Sequence, residues 1–492
     1  MGEPFARRGR GNCLGDYLGT TCFWPSRAEK RRQEEEQPCP PPPPPPDEGE
    51  IQGLDLISLL PDDLLGDIIT LLPTKDGGRT QILWRRWRPL WRAAPLNLHV
   101  DLLAHQGPVR HLSLAWHVQC PSFFPEVGRI LRSPRLSNLH ELDLLYAPSV
   151  TEDGTHQPVV PLSSLISLSP SLRVLSIRST SSREKLQFPT MATETGCTLS
   201  FPRLEQLTLC YVSISESALQ GLLSGCSSLV SLVLIGNMGL GARVRISSLT
   251  LRSLSVSANW GEWRQAGKLQ EIMVVDVPRL ERLIPVSHGH GILRVLHAPR
   301  LKTLGYVSDR MPTFQLGDMV FQKMVPVSLA NNVIGSVRIL ALTIDPNLDL
   351  VIGFLKCFPS VEKLYIKFSE EDIKNVHRYA SLKCLDQHLK MVQFIGYRGR
   401  ISDANFVKFF VLNAGVLESM KFVVNRDKCD SKWIACQHKN LMLNDRASRG
   451  ARFDFQADNR QCGLVHMKHT HDLYTDDPFN RSSCRCRDDY IL

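Results

Sequence analysis

The chain contains no Cys-x-x-Cys pair, no His-Glu-x-x-His signature and no Gly-x-Ser-x-Gly elbow, so the commoner zinc-site and hydrolase patterns are missing from its 492 residues. Its nearest approach to a phosphate-binding loop, from Gly261 to Lys268 and Leu269, is one residue too long and lacks the Ser or Thr that holds magnesium. No cofactor, metal or catalytic step is expected, and the chain reads as a non-catalytic protein. Its fourteen cysteines follow no regular framework, and no charged-then-apolar leader opens the sequence. Free thiols in a reducing cytoplasmic or nuclear setting are expected. Long apolar runs are also scarce. The most apolar stretch, Ala404 to Val424, is broken by Lys408, Glu418 and Lys421, charges costly at the middle of a bilayer, so no membrane partner is expected. Neither sign of charge is in large excess: 58 basic residues stand against 49 acidic ones, a net +9 that is too mild over this length for a nucleic-acid partner.

What the chain has is apolar material, 43% of its residues, over a length that calls for several domains or one elongated repeat array. The first 53 residues stand outside that core. They carry Arg7-Arg8-Gly9-Arg10, Lys30-Arg31-Arg32, Glu34-Glu35-Glu36 and seven consecutive prolines from Pro40 to Pro46. Such a composition reads as a disordered, Pro-rich tail, extended at roughly 3.1 Å per residue in its proline run. Its basic clusters fit either a nuclear import signal or the chance clustering common in polar tails.

The character changes at Leu54. Pro61 suits the first turn of a helix, Asp62 and Asp63 place negative charge at its positive end, and Leu64, Leu65, Ile68, Ile69 and Leu72 recur at helical spacing before Pro73. A second helical pattern follows Thr74, with Thr80, Leu83, Trp84, Trp87 and Trp91 on one side and Arg85, Arg86, Arg88 and Arg92 interleaved. Interleaved Trp and Arg can stack on single-stranded nucleic acid, but an amphipathic helix docking on protein explains the same pattern. Residues 54–95 are too few to cover these leucines and tryptophans themselves, so a second surface is expected to cover them.

Beyond Ala104 the dominant pattern is Leu-x-x-Leu-x-Leu or a close variant, beginning at Val109, Leu139, Leu172, Leu204, Leu229 and Leu251 with spacings of 30, 33, 32, 25 and 22 residues. Degraded copies follow at Leu269, Leu280, Leu293, Val337 and Val361. Six well-formed copies in order make an array, each sending leucines such as Leu142, Leu175 and Leu207 inward from a short strand while Arg173, Glu205 and Gln206 face out. Stacked units of this kind form a solenoid whose concave surface binds another macromolecule. After residue 380, Met391–Ile395 and Phe406–Val424 supply longer apolar pieces suited to covering the last layer. Trp260 and Trp263, near a repeat end, fit packing beneath a loop or an interface anchor. Cys462, His466, His469, His471, Cys484 and Cys486 lie without zinc-finger spacing in a polar tail, 456–492, which reads as disordered.

The run Leu60-Pro61-Asp62-Asp63-Leu64, then Ile68-Ile69, Leu72-Pro73-Thr74-Lys75-Asp76, Arg79-Thr80, Leu83 and Arg86-Trp87-Arg88-Pro89-Leu90-Trp91 resembles a plant-type F-box. An F-box followed by irregular leucine-rich repeats resembles the plant F-box/LRR class. Cys384-Leu385-Asp386-Gln387-His388, then Gly396-Tyr397-Arg398-Gly399 and Phe409 to Glu418 resemble the FBD region that ends many such chains. The resemblance covers roughly residues 54–455 and implies an α/β chain with a short helical F-box (54–95), an irregular leucine-rich-repeat solenoid with parallel strands on its concave face (105–366) and an FBD-like α+β cap (380–455); the disordered tail (1–53) and the polar tail (456–492), both read from composition, lie outside it.

It further implies the substrate-recognition subunit of an SCF-type (Skp–cullin–F-box) ubiquitin ligase, a non-catalytic adaptor in the ubiquitin-conjugation pathway. A Skp-type adaptor, itself joined to a cullin scaffold, would be held by Leu60, Pro61, Leu64, Ile68, Leu72, Leu83, Trp87 and Trp91, and target proteins by the repeats. Gly77-Gly78 and Trp84 stand where the family generally carries small, helix-compatible residues. The alternative is therefore a leucine-rich-repeat scaffold with a degenerate F-box and no ligase.

Overall fold

The computed structural model describes residues 57, 60–71, 79–82, 85–93, 96–99, 109–117, 123–147, 159–180, 186–188, 200–257, 269–286, 291–327, 333–368, 383–426, 429–458 and 475–480. The described residues fall into two units, divided between Leu60 and Pro61. Of the first, Ile57 and Leu60 are described, and the Leu60 N–H donates to the Ile57 carbonyl at 3.2 Å.

The second unit begins with the helix Asp62–Leu71, as its spacing predicts. The next helical pattern is divided. Thr80–Ile82 forms a single 3-10 turn, Arg85 and Arg86 lie in a turn, and a new helix runs Trp87–Ala93. Pro89 explains the division. In one continuous helix its ring would strike the carbonyl of Arg85 and its missing N–H would break the ladder, whereas in the first turn of a fresh helix neither matters.

The large sheet has 14 strands among the described residues, from Leu96–His99 at one end to Arg452–Asp458 at the other, and its neighbouring strands are parallel. One residue of each strand falls in a single row across it. In order these are Leu98, Leu112, Leu142, Leu175, Leu207, Leu232, Leu254, Leu283, Leu304, Leu340, Leu364, Val392, Met420 and Phe453. From Leu112 to Met420 none is more than 1% exposed. At about 1.5–3 kcal/mol for each buried aliphatic side chain, this row is the main apolar contribution that sets strand register.

A second layer packs over the leucines, and its composition changes along the chain. Helices come first, at Phe123–Leu131, Leu162–Leu168 and Glu216–Ser224. Ser215 caps the last of these by accepting from the Ala218 N–H at 3.2 Å. A 6-stranded sheet then follows, joined to the third helix where Gln220 Nε2 donates to the Arg245 carbonyl at 2.6 Å. Its strands Arg243–Ile246, Glu271–Val274 and Ile292–Val295 alternate buried and more exposed residues, the two-residue period that favours a strand over a helix. Helices return at Leu348–Leu355 and Ile401–Asn413.

This change corrects two expectations. Leu293 lies in a strand of the smaller sheet and Leu269 just before another, so neither begins a unit of the large one. Leu283 and Leu304 supply the leucine row at that point instead.

Strand Thr303–Ser308 carries an irregularity that matters for the site. Leu304 pairs with Leu340 and Val307 with Leu342, so Gly305 and Tyr306 together stand opposite Ala341. Two residues against one is a β-bulge, which re-aims a side chain.

The region read as a cap is built as an extension of the same sheet. Strands Met391–Tyr397, Ser419–Asn425 and Arg452–Asp458 continue its parallel pairing. Phe394 and Phe422 stack between them with ring centres 5.6 Å apart, and Phe406 and Phe410 of the neighbouring helix meet Phe394 from the second layer. Among the described residues no helix is long and apolar enough to cross a membrane.

Candidate functional site

Two surfaces qualify. In the N-terminal helices, Leu65 and Ile69 are one turn apart and fully buried, and Trp87 joins them in the interior at 4% exposure. On the other side Pro61 is exposed, Leu64 keeps 49% of its surface, Ile68 is half-buried and Ile82 is 84% exposed. Arg86 Nε donates to Asp62 Oδ1 at 2.6 Å and ties the two helices together. That pair is exposed, so it is worth only about 0.2–1 kcal/mol and acts mainly to fix geometry. Of the other residues expected to dock a partner, Leu60 is half-buried, Trp91 lies on the helix Trp87–Ala93, and Leu72 and Leu83 fall outside the described residues, as do Gly77, Gly78 and Trp84.

The second surface is the face of the large sheet opposite the leucine row. Toward one end it is polar, as expected: Arg173 pairs with Glu205 at 2.6 Å, and Arg178 holds both carboxylate oxygens of Asp143. Toward the middle it is apolar, contrary to expectation. Cys210, Val233, Ile235, Ile284, Ala341 and Tyr365 form one buried cluster there, with Tyr306 and Met391 packed against it. Burial pushes the Cys210 thiol up to about 12, so it remains a protonated, unreactive core group.

The cluster has one further member from far along the chain. Phe479 is 4% exposed, its ring 5.0 Å from Tyr306 and 5.3 Å from Tyr365. Beside it Asp477 accepts from Lys363 Nζ at 2.6 Å and from the Tyr365 hydroxyl at 2.9 Å. Burial, and then the neighbouring Asp477 carboxylate, push the Tyr365 hydroxyl above the usual tyrosine range, so it keeps its proton and donates. Arg282 reaches Asp476 at 3.2 Å. A cleft of about 250 Å³ continues from there, lined among others by Lys390, Gln393, Lys421 and Asn480.

Residues 475–480 thus depart from the disordered tail expected over 456–492, because one aromatic ring and one carboxylate find complementary groups on the sheet. None of Arg282, Tyr306, Lys363, Tyr365, Asp477 and Phe479 was singled out by the sequence. Two signals were present: an aromatic between the inward Leu364 and Ile366, and the turn pattern Asp477-Pro478-Phe479-Asn480 with an apolar residue in a polar tail. Trp260, Trp263 and the Cys/His cluster of the tail lie outside the described residues.

A parallel, leucine-lined sheet covered by helices and short strands defines a leucine-rich-repeat protein. Residues 127–366 match the family described as the LRR repeats of FBD-associated F-box protein At5g56370, and residues 381–422 match the FBD family. The chain is a plant F-box/LRR protein with a C-terminal FBD region.

Among its curated relatives, the F-box/FBD/LRR-repeat protein At5g56420 of Arabidopsis thaliana is 27% identical over 265 residues, which is 50% of this chain and 58% of that protein. The putative F-box/LRR-repeat protein At5g02700 of the same plant is 27% identical over 195 residues, 37% of this chain and 39% of its own length. The putative F-box/FBD/LRR-repeat protein At3g49480, also from Arabidopsis thaliana, is 25% identical over 421 residues, 74% of this chain and 88% of its own. This chain therefore spans less than two thirds of the first two relatives. Residues 54–95 lie outside both matched family ranges.

Proposed function

We propose that this chain is the substrate-recognition subunit of an SCF-type ubiquitin ligase, working in the cytoplasm or nucleus. Its N-terminal helices dock a Skp-type adaptor, which brings the cullin scaffold, and its repeats hold a target protein. The chain performs no chemistry. It raises the local concentration of a target lysine near a charged ubiquitin-conjugating enzyme.

The observation that carries this reading is the two-sidedness of the helix Asp62–Leu71: Leu65 and Ile69 are fully buried while Leu64 of the same turn stays 49% exposed. An apolar residue kept at the surface beside a completed core is suited to a partner. Relatives named as F-box/LRR-repeat proteins support the identity of that partner's class.

The test is co-purification of the full chain with a Skp-type adaptor. Pro61→Ala combined with Leu64→Ala should lower capture at least tenfold with the melting temperature unchanged, since neither side chain is core. Equal capture by the double variant overturns the docking face. No capture by the unaltered chain leaves a repeat scaffold without a ligase.

A further inference from the structure

We infer that the sheet face around Tyr306, Lys363 and Tyr365 is a recognition site for a short segment carrying a carboxylate two residues before an aromatic ring, and that residues 475–480 are its internal occupant. The inference rests on the reading that the repeats hold targets, and it states what chemistry they select.

The site has two complementary halves. One is cationic and donor-rich: Lys363 Nζ and the Tyr365 hydroxyl both reach Asp477 Oδ2, at 2.6 and 2.9 Å, and Arg282 reaches Asp476. Such charge-assisted bonds select a carboxylate at a fixed point. The other half is aromatic. Tyr306 meets the Phe479 ring at 76° and Tyr365 at 52°, a tilted cradle that suits the edge and face of an aromatic ring better than an aliphatic chain.

The occupant is shaped for this site. Asn480 N–H donates to the Asp477 carbonyl at 3.2 Å, closing a turn with Pro478 at its second position. Proline fixes that backbone in advance, so less conformational freedom is lost when the turn is held. Its lodging contact spans 114 residues of sequence between Lys363 and Asp477, which no local folding rule would produce.

The fit is nevertheless incomplete, and that makes the occupant displaceable. Asp477 Oδ1 and Arg282 Nε are buried yet have no hydrogen-bond partner among the described residues. A partner segment that satisfies Arg282 Nε, and whose own carboxylate leaves no buried oxygen unpaired as Asp477 Oδ1 is, gains over the tail. The cleft that continues past Asn480 offers such a segment further contacts with Lys390 and Lys421. Because the tail is tethered, it competes at an effective concentration on the order of millimolar, so a free segment binds well only after the tail is weakened.

The experiment uses the full chain and a fluorescein-labelled octapeptide of the tail sequence Tyr-Thr-Asp-Asp-Pro-Phe-Asn-Arg, followed by polarisation. The double variant Asp477→Asn, Phe479→Ala should bind this probe at least tenfold more tightly than the unaltered chain. In that variant background, Lys363→Ala should lower affinity at least tenfold, as should replacing the probe's phenylalanine by alanine. Asp477→Asn alone, a nearly isosteric change, should give an intermediate gain and guards against misfolding of the double variant. Equal binding to variant and unaltered chain overturns the inference, as does indifference to the probe's phenylalanine. No adaptor takes part, so failure here leaves the ligase reading standing, and failure of adaptor capture leaves this one.

Discussion

Tyr306 and Phe479 meet edge to face with ring centres 5.0 Å apart because two residues of one strand are squeezed opposite a single residue of the next. Gly305 is the other squeezed residue. A Cβ there would collide with Ala341 Cβ and lie 2.7 Å from its carbonyl oxygen. Gly305→Ala should therefore cost about 1–3 kcal/mol by forcing strands Thr303–Ser308 and Ile339–Ile344 apart. Urea unfolding reads the loss, and an unchanged midpoint would show that the strands give way freely.

Asn237 offers a second test, on the leucine-rich array. Its Oδ1 accepts from the Val212 N–H at 3.0 Å and its Nδ2 donates to the Leu209 carbonyl at 2.9 Å, so one side chain satisfies two buried backbone groups of the preceding unit. Asn237→Ala leaves the Val212 N–H without this partner and takes one bond from the Leu209 carbonyl, which also sits in the strand ladder. A loss of about 1–3 kcal/mol is expected, the cost of one buried donor left unpaired. Hydrogen exchange should quicken at the Val212 amide before it does elsewhere; uniform protection across the array would contradict this role.

Alkaline pH provides a third. Burial pushes the thiols of Cys210 and Cys226 from the ordinary 9.0 to about 12. Below pH 9 both folded and unfolded chains keep these protons, and stability is unaffected. Between about pH 9 and 12 the unfolded chain releases them while the folded chain does not, so stability falls as pH rises. Each thiol contributes a slope of about 1.4 kcal/mol per pH unit. Cys210→Ala should remove one such share from the slope between pH 9 and 10, and an unaltered slope would mean the thiol ionises in place.

The strands of the array were legible because leucine at alternate positions leaves few other folds. Leu142, Leu175 and Leu207 fall where the motif puts them, in one row and at most 1% exposed. The middle was misread at Leu293, where a run with two-residue alternation satisfies the repeat pattern and a second sheet equally well. Helix Trp87–Ala93 was seen, but its fresh start was not, because the cost of Pro89 depends on where the helix begins. The sheet-face site was illegible as a site. Tyr365, Tyr306 and Phe479 come from three distant segments, and only folding brings the Phe479 ring within 5.3 Å of both tyrosines.

The last strand, Arg452–Asp458, pairs on one side with Ser419–Asn425 and has no strand on its other side among the described residues. An edge strand with an open backbone is a template on which another copy can polymerise. Arg452 and Asp454 stand exposed along it. Charges so placed make docking of an identical strand cost their hydration, which disfavours growth of a fibre from this strand.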